Sequence, residues 1–193
     1  MRVVSGSAKG TPLEAPKGMT TRPTSDKAKE GVFSAIQCEI EGARALDIFA
    51  GSGGMGIEAL SRGAASCVFV DIDLNALRCI KNNLAKAKLE GRVVRRDAIA
   101  FLNSCSDRFD IIFSDPPYNK GWTAKLLPLA AKLLDDGGVL LCETDGAEPR
   151  PEAAEGLRLR KTYVYGRAVV TLFEKISEKG ADADEDSGLP GQF

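Results

Sequence analysis

Histidine does not occur anywhere in the 193 residues of this chain. Its absence excludes Ser-His-Asp triads, imidazole acid–base catalysis and histidine metal ligands from the chain's own side chains. Any catalysis must therefore depend on carboxylates, lysine, tyrosine, serine, cysteine or backbone groups.

Cysteine is present, but not in a pattern that forms disulfides or binds zinc. The cysteines are odd in number, widely spaced and never arranged as C-x-x-C. That spacing argues against a disulfide framework and against a zinc site. We expect no bound metal and interpret these residues as buried thiols. They are Cys38, Cys67, Cys79, Cys105 and Cys142.

Long apolar runs are also missing, since no stretch approaches the roughly 18 residues that a membrane-spanning helix needs. The first ten residues lack the apolar core that follows the basic end of a secretory signal. Hydrophobic residues make up 44% and charged residues 27%, as in an ordinary globular domain. We therefore expect a soluble, cytoplasmic, monomeric protein without a membrane partner.

The net charge of −1 hides an uneven distribution along the chain. Residues 1–29 carry a net charge of +4, whereas residues 176–193 carry −4. The last segment has too few apolar residues to offset the entropy lost on ordering it, so we predict an acidic flexible tail. The basic beginning is compatible with a polyanionic partner.

Between residues 43 and 143, short apolar runs alternate with amphipathic segments, which is typical of βα units on a mostly parallel sheet. Helical spacing of apolar residues predicts helices over Leu74–Ala87 and Trp122–Leu134. Seven strands are predicted, the last two as an antiparallel hairpin at one sheet edge. These are Ala43–Ile48, Ser66–Val70, Gly91–Arg95, Phe109–Ser114, Gly138–Cys142, Leu157–Tyr165 and Arg167–Phe173.

The beginning of the chain is interpreted as an appendage to this sheet. Arg2–Ser5 and Thr11–Leu13 predict a small hairpin, and Asp26–Ile40 has helical spacing after a Thr24-Ser25 cap. The fold class is therefore a doubly wound, mostly parallel, seven-stranded α/β sheet of Rossmann-like type. The predicted parts are the appendage at 1–42, the main domain at 43–175 and the tail at 176–193.

A glycine-rich turn, Asp47-Ile-Phe-Ala-Gly-Ser-Gly-Gly-Met-Gly56, follows the first predicted strand. Such glycines let the backbone approach a ligand closely at the start of the next helix. Asp71 ends the next strand, 20 residues after Gly51, where a carboxylate can bind both hydroxyls of a ribose. The pattern predicts a nucleoside-containing ligand. A turn that serves packing alone is the alternative, and the Gly51-x-Gly53-x-x-Gly56 spacing also fits dinucleotides.

Asp47 helps to separate two nucleoside ligands. A carboxylate beside the glycine turn repels a pyrophosphate, whereas it attracts the ammonium of an amino-acid moiety. This favours S-adenosylmethionine over NAD. The alternative is that Asp47 caps or orients the loop.

The fourth predicted strand is followed by Asp115-Pro-Pro-Tyr118. Two prolines remove backbone donors, so carbonyls such as that of Pro116 are left to face a ligand. Asp115 and the Pro116 carbonyl can together accept both protons of an exocyclic amine, while the Tyr118 ring stacks on its base. A strand-end turn with a cap aspartate and a buried tyrosine is the alternative.

Together, the Asp47–Gly56 turn, Asp71, Asp97 and Asp115–Tyr118 resemble the successive motifs of class I S-adenosylmethionine-dependent methyltransferases. The D-P-P-Y form is similar to the branch that methylates exocyclic amines of nucleic-acid bases. More narrowly, the segment from Arg22 to Phe33 (R-P-T-S-D-K-A-K-E-G-V-F) and the G-I-E-A-L-S-R-G-A run from Gly56 resemble the bacterial RsmD-like family. That family methylates guanine N2 in 16S ribosomal RNA.

The resemblance implies a role for each matched residue. The loop of Asp47, Phe49, Gly51, Ser52 and Gly53 is expected to hold the methionine part of the cofactor. Asp71 is expected to bind the ribose, and Asp97 with Ala98 the adenine edge, although Asp97 also fits a helix cap. Ile72 is expected among the cofactor-binding residues. Arg22 and Thr24 are expected near the active site, on the substrate side together with Pro117 and Lys9. We also expect Lys9, Lys17, Lys27 and Lys29 to contact phosphates of ribosomal RNA or of a small-subunit particle.

Three other functions fit part of the pattern. A DNA adenine-N6 methyltransferase uses the same acceptor corner, but normally has a sizeable target-recognition region. An NAD-dependent oxidoreductase fits the glycine spacing and is disfavoured by Asp47 and the D-P-P-Y motif. The third is an RNA-binding assembly factor without turnover.

Overall fold

The computed structural model describes residues 1–16, 26–118 and 121–177. Helices and strands alternate through most of this range. The helices are α1 (Asp26–Ala35), α2 (Gln37–Ile40), α3 (Gly54–Ser61), α4 (Leu74–Ala87), α5 (Ala98–Ser104) and α6 (Trp122–Leu133). The strands are β1 (Arg44–Ile48), β2 (Ser66–Asp71), β3 (Arg92–Arg95), β4 (Phe109–Ser114), β5 (Leu134–Asp145), β6 (Leu157–Tyr165) and β7 (Ala168–Lys175).

The seven strands form one sheet in the order β3-β2-β1-β4-β5-β7-β6. Neighbours from β3 to β5 pair in parallel, and β7 is antiparallel to both β5 and β6. The predicted doubly wound α/β class and the terminal hairpin are confirmed. Because the strand order reverses between β1 and β4, a crevice opens beyond their carboxyl ends, where ligands of such sheets bind.

Two apolar clusters cover the two faces of the sheet. One cluster joins the front of the chain with α1, α3 and α4, and includes Val3, Phe33 and Phe113. The other packs α5 and α6 against the opposite face, through residues such as Phe101 and Leu126. The front of the chain therefore shares the core of the main sheet, and its RNA-facing role stays a prediction.

The front of the chain is less regular than predicted. The two strands of the predicted hairpin reduce to a single bridge between Arg2 and Pro12. The predicted helix Asp26–Ile40 is interrupted at Ile36, whose φ of −119° departs from helical geometry while its side chain stays buried. The proposed cap at Thr24 and Ser25 lies outside the described residues.

Cysteine burial follows the expectation only in part. Cys67, Cys79 and Cys142 are buried, Cys105 is half-buried and Cys38 is exposed, so the prediction of a buried thiol was wrong for Cys38. Cys38 lies on α2, a single turn whose outer side faces solvent. In the described part of the chain, no helix is long and apolar enough to span a membrane.

Candidate active site

The loop between β1 and α3 forms one wall of the crevice. Phe49, the first residue after the buried strand, has a φ of 60°, a strained value for a bulky side chain. Its ring meets the Trp122 ring edge-on, with centroids 5.6 Å apart. At Gly56 a Cβ atom would lie 2.3 Å from the ring of Phe69, so only glycine lets α3 approach β2 this closely.

Asp71 ties this loop to the end of β2. Its carboxylate accepts hydrogen bonds from the backbone N–H groups of Gly51 and Asp73, both at 2.9 Å. Carboxylate oxygens have further lone pairs, so Asp71 can still accept bonds from a ligand. The structure thus links Asp71, the residue predicted to bind the ribose, to the loop predicted to hold the methionine part of the cofactor. Contact of Asp71 with a ribose stays a prediction.

Asp47 is buried beneath the same loop. Its carboxylate accepts a 2.9 Å hydrogen bond from the backbone N–H of Gly56, in the first turn of α3. Burial raises the pKa of Asp47 to about 7, the Gly56 bond opposes this rise, and the charge of Asp71 adds to it. Asp47 therefore orients the loop, as the alternative proposes, but its carboxylate is buried and not solvated, and attraction of an ammonium stays a prediction.

The Asp115-Pro-Pro-Tyr118 segment leaves β4 on the other side of the crevice. The Asp115 residue is exposed to solvent. Partial desolvation of its carboxylate by the neighbouring protein, followed by the charges of Glu143 and Asp47, raises the pKa of Asp115 above its usual range. Pro116 is buried, whereas Pro117 and Tyr118 are exposed. The segment thus has one anchored proline and a carboxylate whose surroundings favour a positively charged or proton-donating ligand.

Glu143, a site residue that the sequence reasoning missed, lies near the end of β5. The Tyr118 hydroxyl donates a 2.7 Å hydrogen bond to Oε1 of Glu143. Glu143 is buried, while the Tyr118 residue is 37% exposed, so the hydroxyl is fixed and part of the ring stays open. An acidic residue directly after the apolar run Gly138–Cys142 was the available signal, because carboxyl ends of parallel strands converge on the crevice.

Ile72 and Asp97 form the outer rim of the crevice, after β2 and β3. Ile72 is 62% exposed, which is unusual for a large apolar side chain. Asp97 caps α5 by accepting a 3.0 Å hydrogen bond from the N–H of Ala100, so its predicted cap role is confirmed. Ala98 is buried at the start of that helix. Contact of Ile72 with the cofactor, and of Asp97 and Ala98 with adenine, stays a prediction.

Asn83, a second residue that the sequence reasoning missed, links the glycine loop to the front of the chain. Its amide nitrogen donates to the carbonyls of Ser52 at 2.9 Å and Glu14 at 3.0 Å. Its amide oxygen accepts from the N–H of Glu14 at 2.9 Å. One fully buried amide on α4 therefore holds together the predicted cofactor loop and the segment that leads toward Arg22.

Glu58 on α3 anchors the first residues of the chain through a buried ion cluster. Its carboxylate lies 3.0 Å from Lys29 Nζ and 2.9 Å from Arg62 Nε. It also accepts backbone bonds from Val4 at 2.8 Å and Ser5 at 2.9 Å. These contacts give the G-I-E-A-L-S-R-G run a structural task in holding the front segment on α3.

The expectation that Lys29 contacts phosphates was wrong. Its side chain is 1% exposed and is paired with Glu58, which is 0% exposed. Its Nζ also donates a 2.6 Å hydrogen bond to the carbonyl of Arg2. A buried, paired ammonium cannot reach a nucleic acid, because exposing it would leave Glu58 uncompensated.

Of the remaining residues predicted to contact substrate, two are exposed and the others lie outside the described part of the chain. Lys9 is exposed in the front turn, and Pro117 is exposed beside Tyr118. Arg22, Thr24 and Lys17 lie outside the described residues, as does the side chain of Lys27. Within residues 1–16, 26–118 and 121–177, no three acidic or cysteine side chains group as metal ligands would.

Comparison with known proteins gives consistent matches along the chain. A family model described as "Conserved hypothetical protein 95" matches residues 1–174. "Putative rRNA methyltransferase YlbH" of Bacillus subtilis is 42% identical over 182 residues, which cover 91% of this chain and 99% of that protein. "Ribosomal RNA small subunit methyltransferase D" of Escherichia coli K12 is 31% identical, covering 95% of this chain and 94% of that protein.

A solved structure has the same fold over nearly the whole length. It is described as "Putative methyltransferase yhhF from Escherichia coli" and superimposes with a TM-score of 0.82 at 30% identity. The match covers 92% of this chain and 99% of the other.

Proposed function

Because this chain belongs to the family of conserved hypothetical protein 95, and so to the RsmD-like methyltransferases, we propose that it methylates the N2 amine of a guanine in 16S ribosomal RNA. The methyl donor is S-adenosylmethionine. The proposed cellular setting is the cytoplasm, where a monomer acts on ribosomal RNA or on a small-subunit particle.

One observation carries the choice of an exocyclic amine as acceptor. Asp115 and Pro116 directly follow β4, whose last residue pairs with the end of β1, and the Tyr118 hydroxyl is bonded to Glu143 near the end of β5. The corner therefore combines hydrogen-bond acceptors with an aromatic face. A planar base that carries an NH₂ group needs both.

The opposite wall fits S-adenosylmethionine, which supplies a methyl group already activated by a sulfonium. Asp71 faces the glycine loop and has acceptor capacity for ribose hydroxyls. The buried carboxylate of Asp47 lacks a cationic partner among the described residues and would be stabilised by an ammonium. Exposed Ile72 offers an apolar surface for a base. These residues, with Asp97 and Ala98 on the rim, are proposed to hold the cofactor.

The amine is the difficult partner, because its lone pair is delocalised into the guanine ring. Asp115 and the Pro116 carbonyl are proposed to accept hydrogen bonds from the two N–H groups of the amine. These bonds orient the nitrogen lone pair. The carboxylate then stabilises the positive charge that develops on nitrogen. Asp115, whose pKa is raised, or water takes the released proton. This chemistry suits a chain without histidine.

Glu143 is proposed to act through Tyr118. By accepting the hydroxyl hydrogen bond it fixes the ring plane before the base arrives, so less ordering remains to be done on binding. A base taken out of its stack recovers part of the stacking free energy on the Tyr118 ring.

We expect cofactor affinity to increase with pH between 5.5 and 7.5. The pKa of Asp47 is about 7 without ligand, so the ionised form that attracts an ammonium grows roughly twentyfold over this range. Binding of S-adenosylhomocysteine, measured by calorimetry, should strengthen by a similar factor. Asp47→Asn should bind more weakly and with little pH dependence. Asp107→Asn on the exposed surface is the control, and a flat profile for the parent protein would rule out this role of Asp47.

The methylation reaction itself provides the test of function. Small-subunit particles that lack the modification are incubated with the protein and labelled S-adenosylmethionine, and the RNA is then digested for nucleoside mapping. N2-methylguanosine is the expected product. In a parallel incubation with DNA, label at the N6 position of adenine would instead favour the DNA methyltransferase. Cofactor binding without transfer to any substrate would favour the assembly factor, and NAD binding an oxidoreductase.

We propose a separate role for each of three parts of the chain. Residues 1–42 are proposed to face the RNA, residues 43–175 to bind cofactor and target base, and residues 176–193 to form the acidic tail. Exposed Lys9 supports the first part. Because the described part of this front segment shares its core with α3 and α4, we propose that its contact with RNA comes from a segment held in place by these helices.

A further inference from the structure

Strand β6 forms one outer edge of the sheet and is rich in cations and tyrosine. From Leu157 to Arg167 the sequence is L-R-L-R-K-T-Y-V-Y-G-R, with four cations and no acidic residue. The strand pairs with β7 on one side. Alternating basic and aromatic residues on an exposed strand are a pattern seen where proteins bind single-stranded nucleic acid.

The pairing register places the tyrosines and one lysine on the same face as the active-site carboxylates. Lys161 is opposite Leu172 and Tyr163 is opposite Val170, whose side chains belong to the cluster that contains Phe113. Residues directly opposite each other share a face of the sheet. A bulge at Arg160 shifts the register between Leu159 and Lys161. Without the shift, Lys161 would point to the other face.

Tyr163 also lies at the carboxyl edge of the sheet, as the active site does. Tyr163 pairs with Val170, and Val170 pairs with Glu143, the residue that holds Tyr118. Two strand spacings separate the backbones of Tyr163 and Glu143, which amounts to about 10 Å. An RNA strand whose target base lies on Tyr118 can therefore reach Tyr163 with a neighbouring nucleotide.

The two tyrosine rings form a prearranged aromatic surface. The rings of Tyr163 and Tyr165 are stacked, 6.4 Å apart between centroids and 10° from parallel. A Cβ atom added at Gly31 would lie 2.1 Å from the hydroxyl oxygen of Tyr165. The Tyr165 hydroxyl therefore occupies the space that a side chain at position 31 would take. Glycine inside a helix is destabilising relative to alanine. At Gly31 that glycine makes room for the Tyr165 ring, which supports Tyr163.

Lys161 differs from the arginines of the same edge. Arg158 is paired with Glu174, Arg160 with Glu39 and Arg167 with Asp145. Lys161 forms no ion pair with the described residues, and its Nζ lies 5.1 Å from the centre of the Tyr163 ring. Tyr165 and Lys161 flank the Tyr163 ring from its two sides along the strand. The flexible lysine side chain can leave the ring to bind a phosphate, and the ring face that it leaves is then open to the attached base.

We propose that Lys161, Tyr163 and Tyr165, here called the tyrosine surface, bind the single-stranded RNA that flanks the target nucleotide. The inference rests on the proposed function, because that function identifies the polyanion as RNA. Tyr163 stacks on a base, Lys161 contacts a phosphate, and Tyr165 fixes the Tyr163 ring. This contact is separate from the predicted contacts of the front segment.

The first experiment measures binding of a short fluorescent single-stranded RNA to the full chain at several salt concentrations. Tyr163→Ala should weaken binding about fivefold to a hundredfold, which corresponds to the 1–3 kcal/mol of one base stack. Tyr163→Phe keeps the ring and should bind like the parent. Lys161→Gln should reduce the slope of log affinity against log salt by about 0.7, the value for one phosphate contact on a single strand. Lys132→Gln, at an exposed position of α6, is the matched control.

The second experiment measures methyl transfer to unmodified small-subunit particles. Tyr163→Ala should raise KM for the particle, while kcat and calorimetric affinity for S-adenosylhomocysteine stay near the parent values. Parent-like binding and KM in both Tyr163→Ala and Lys161→Gln would overturn the inference, as would tighter binding of poly-glutamate than of RNA. If the parent transfers no methyl to ribosomal RNA, the proposed function fails, and the RNA titration still decides whether the tyrosine surface binds single strands.

Discussion

Asp115→Ala is expected to lower kcat for methyl transfer about a hundredfold or more, while the affinity for S-adenosylhomocysteine changes only a few-fold. The carboxylate lies in the acceptor corner after β4, where it would contact the amine and the charge that develops on it. Loss of one preorganised group that stabilises developing charge commonly costs a factor of 10²–10³ in kcat. A group that acts mainly in the transition state reduces kcat with little effect on ligand binding.

Asp115→Asn refines the same prediction. Asparagine keeps one acceptor oxygen but lacks the charge, so its kcat should lie between those of the parent and Asp115→Ala. Asp107→Ala, at an exposed position, controls for the loss of a surface carboxylate. Single-turnover rates with labelled cofactor and calorimetry on the same preparations separate chemistry from binding. Parent-like transfer by Asp115→Ala would show that the D-P-P-Y corner does not hold the amine.

Glu58→Ala is expected to reduce the free energy of unfolding by about 3–5 kcal/mol. The change removes the partner of the buried Lys29 ammonium and leaves the Val4 and Ser5 amides without their acceptor. An uncompensated buried charge is among the costliest local defects. Small domains are stable by only about 5–15 kcal/mol, so the variant should lose a large share of its stability.

Urea unfolding followed by circular dichroism checks this expectation. Glu30→Ala, at an exposed position on α1, is the control and should change stability by no more than about 0.5 kcal/mol. Lys29→Met should cost less than Glu58→Ala, because Arg62 and two backbone amides still bind the Glu58 carboxylate. A double-mutant cycle between Lys29 and Glu58 should give a coupling free energy well above zero. A loss below about 1 kcal/mol for Glu58→Ala would mean that the cluster does not anchor the front segment.

The periodic elements of the molecule could be predicted from local sequence patterns. The predicted bounds of Leu74–Ala87, Phe109–Ser114 and Leu157–Tyr165 are those of α4, β4 and β6. These segments are defined by local patterns, namely an apolar helical stripe or a short apolar or β-rich run between turns. The glycine turn and the D-P-P-Y corner were found for a related reason. Their chemistry is encoded by adjacent residues, and their place at strand ends follows from the βα order.

The roles of the isolated charged side chains depend on how the chain folds. Lys29 belongs to a basic stretch in the sequence, but packing of α1 on α3 buries it against Glu58. Glu143 and Asn83 gained their roles because β5 and α4 bring them to Tyr118 and Ser52, 25 and 31 residues away in sequence. A charged or amide side chain has no fixed role until its long-range partner is known. Apolar periodicity was readable in advance because burial requires only a face, whereas these polar contacts require particular atoms at hydrogen-bond distance.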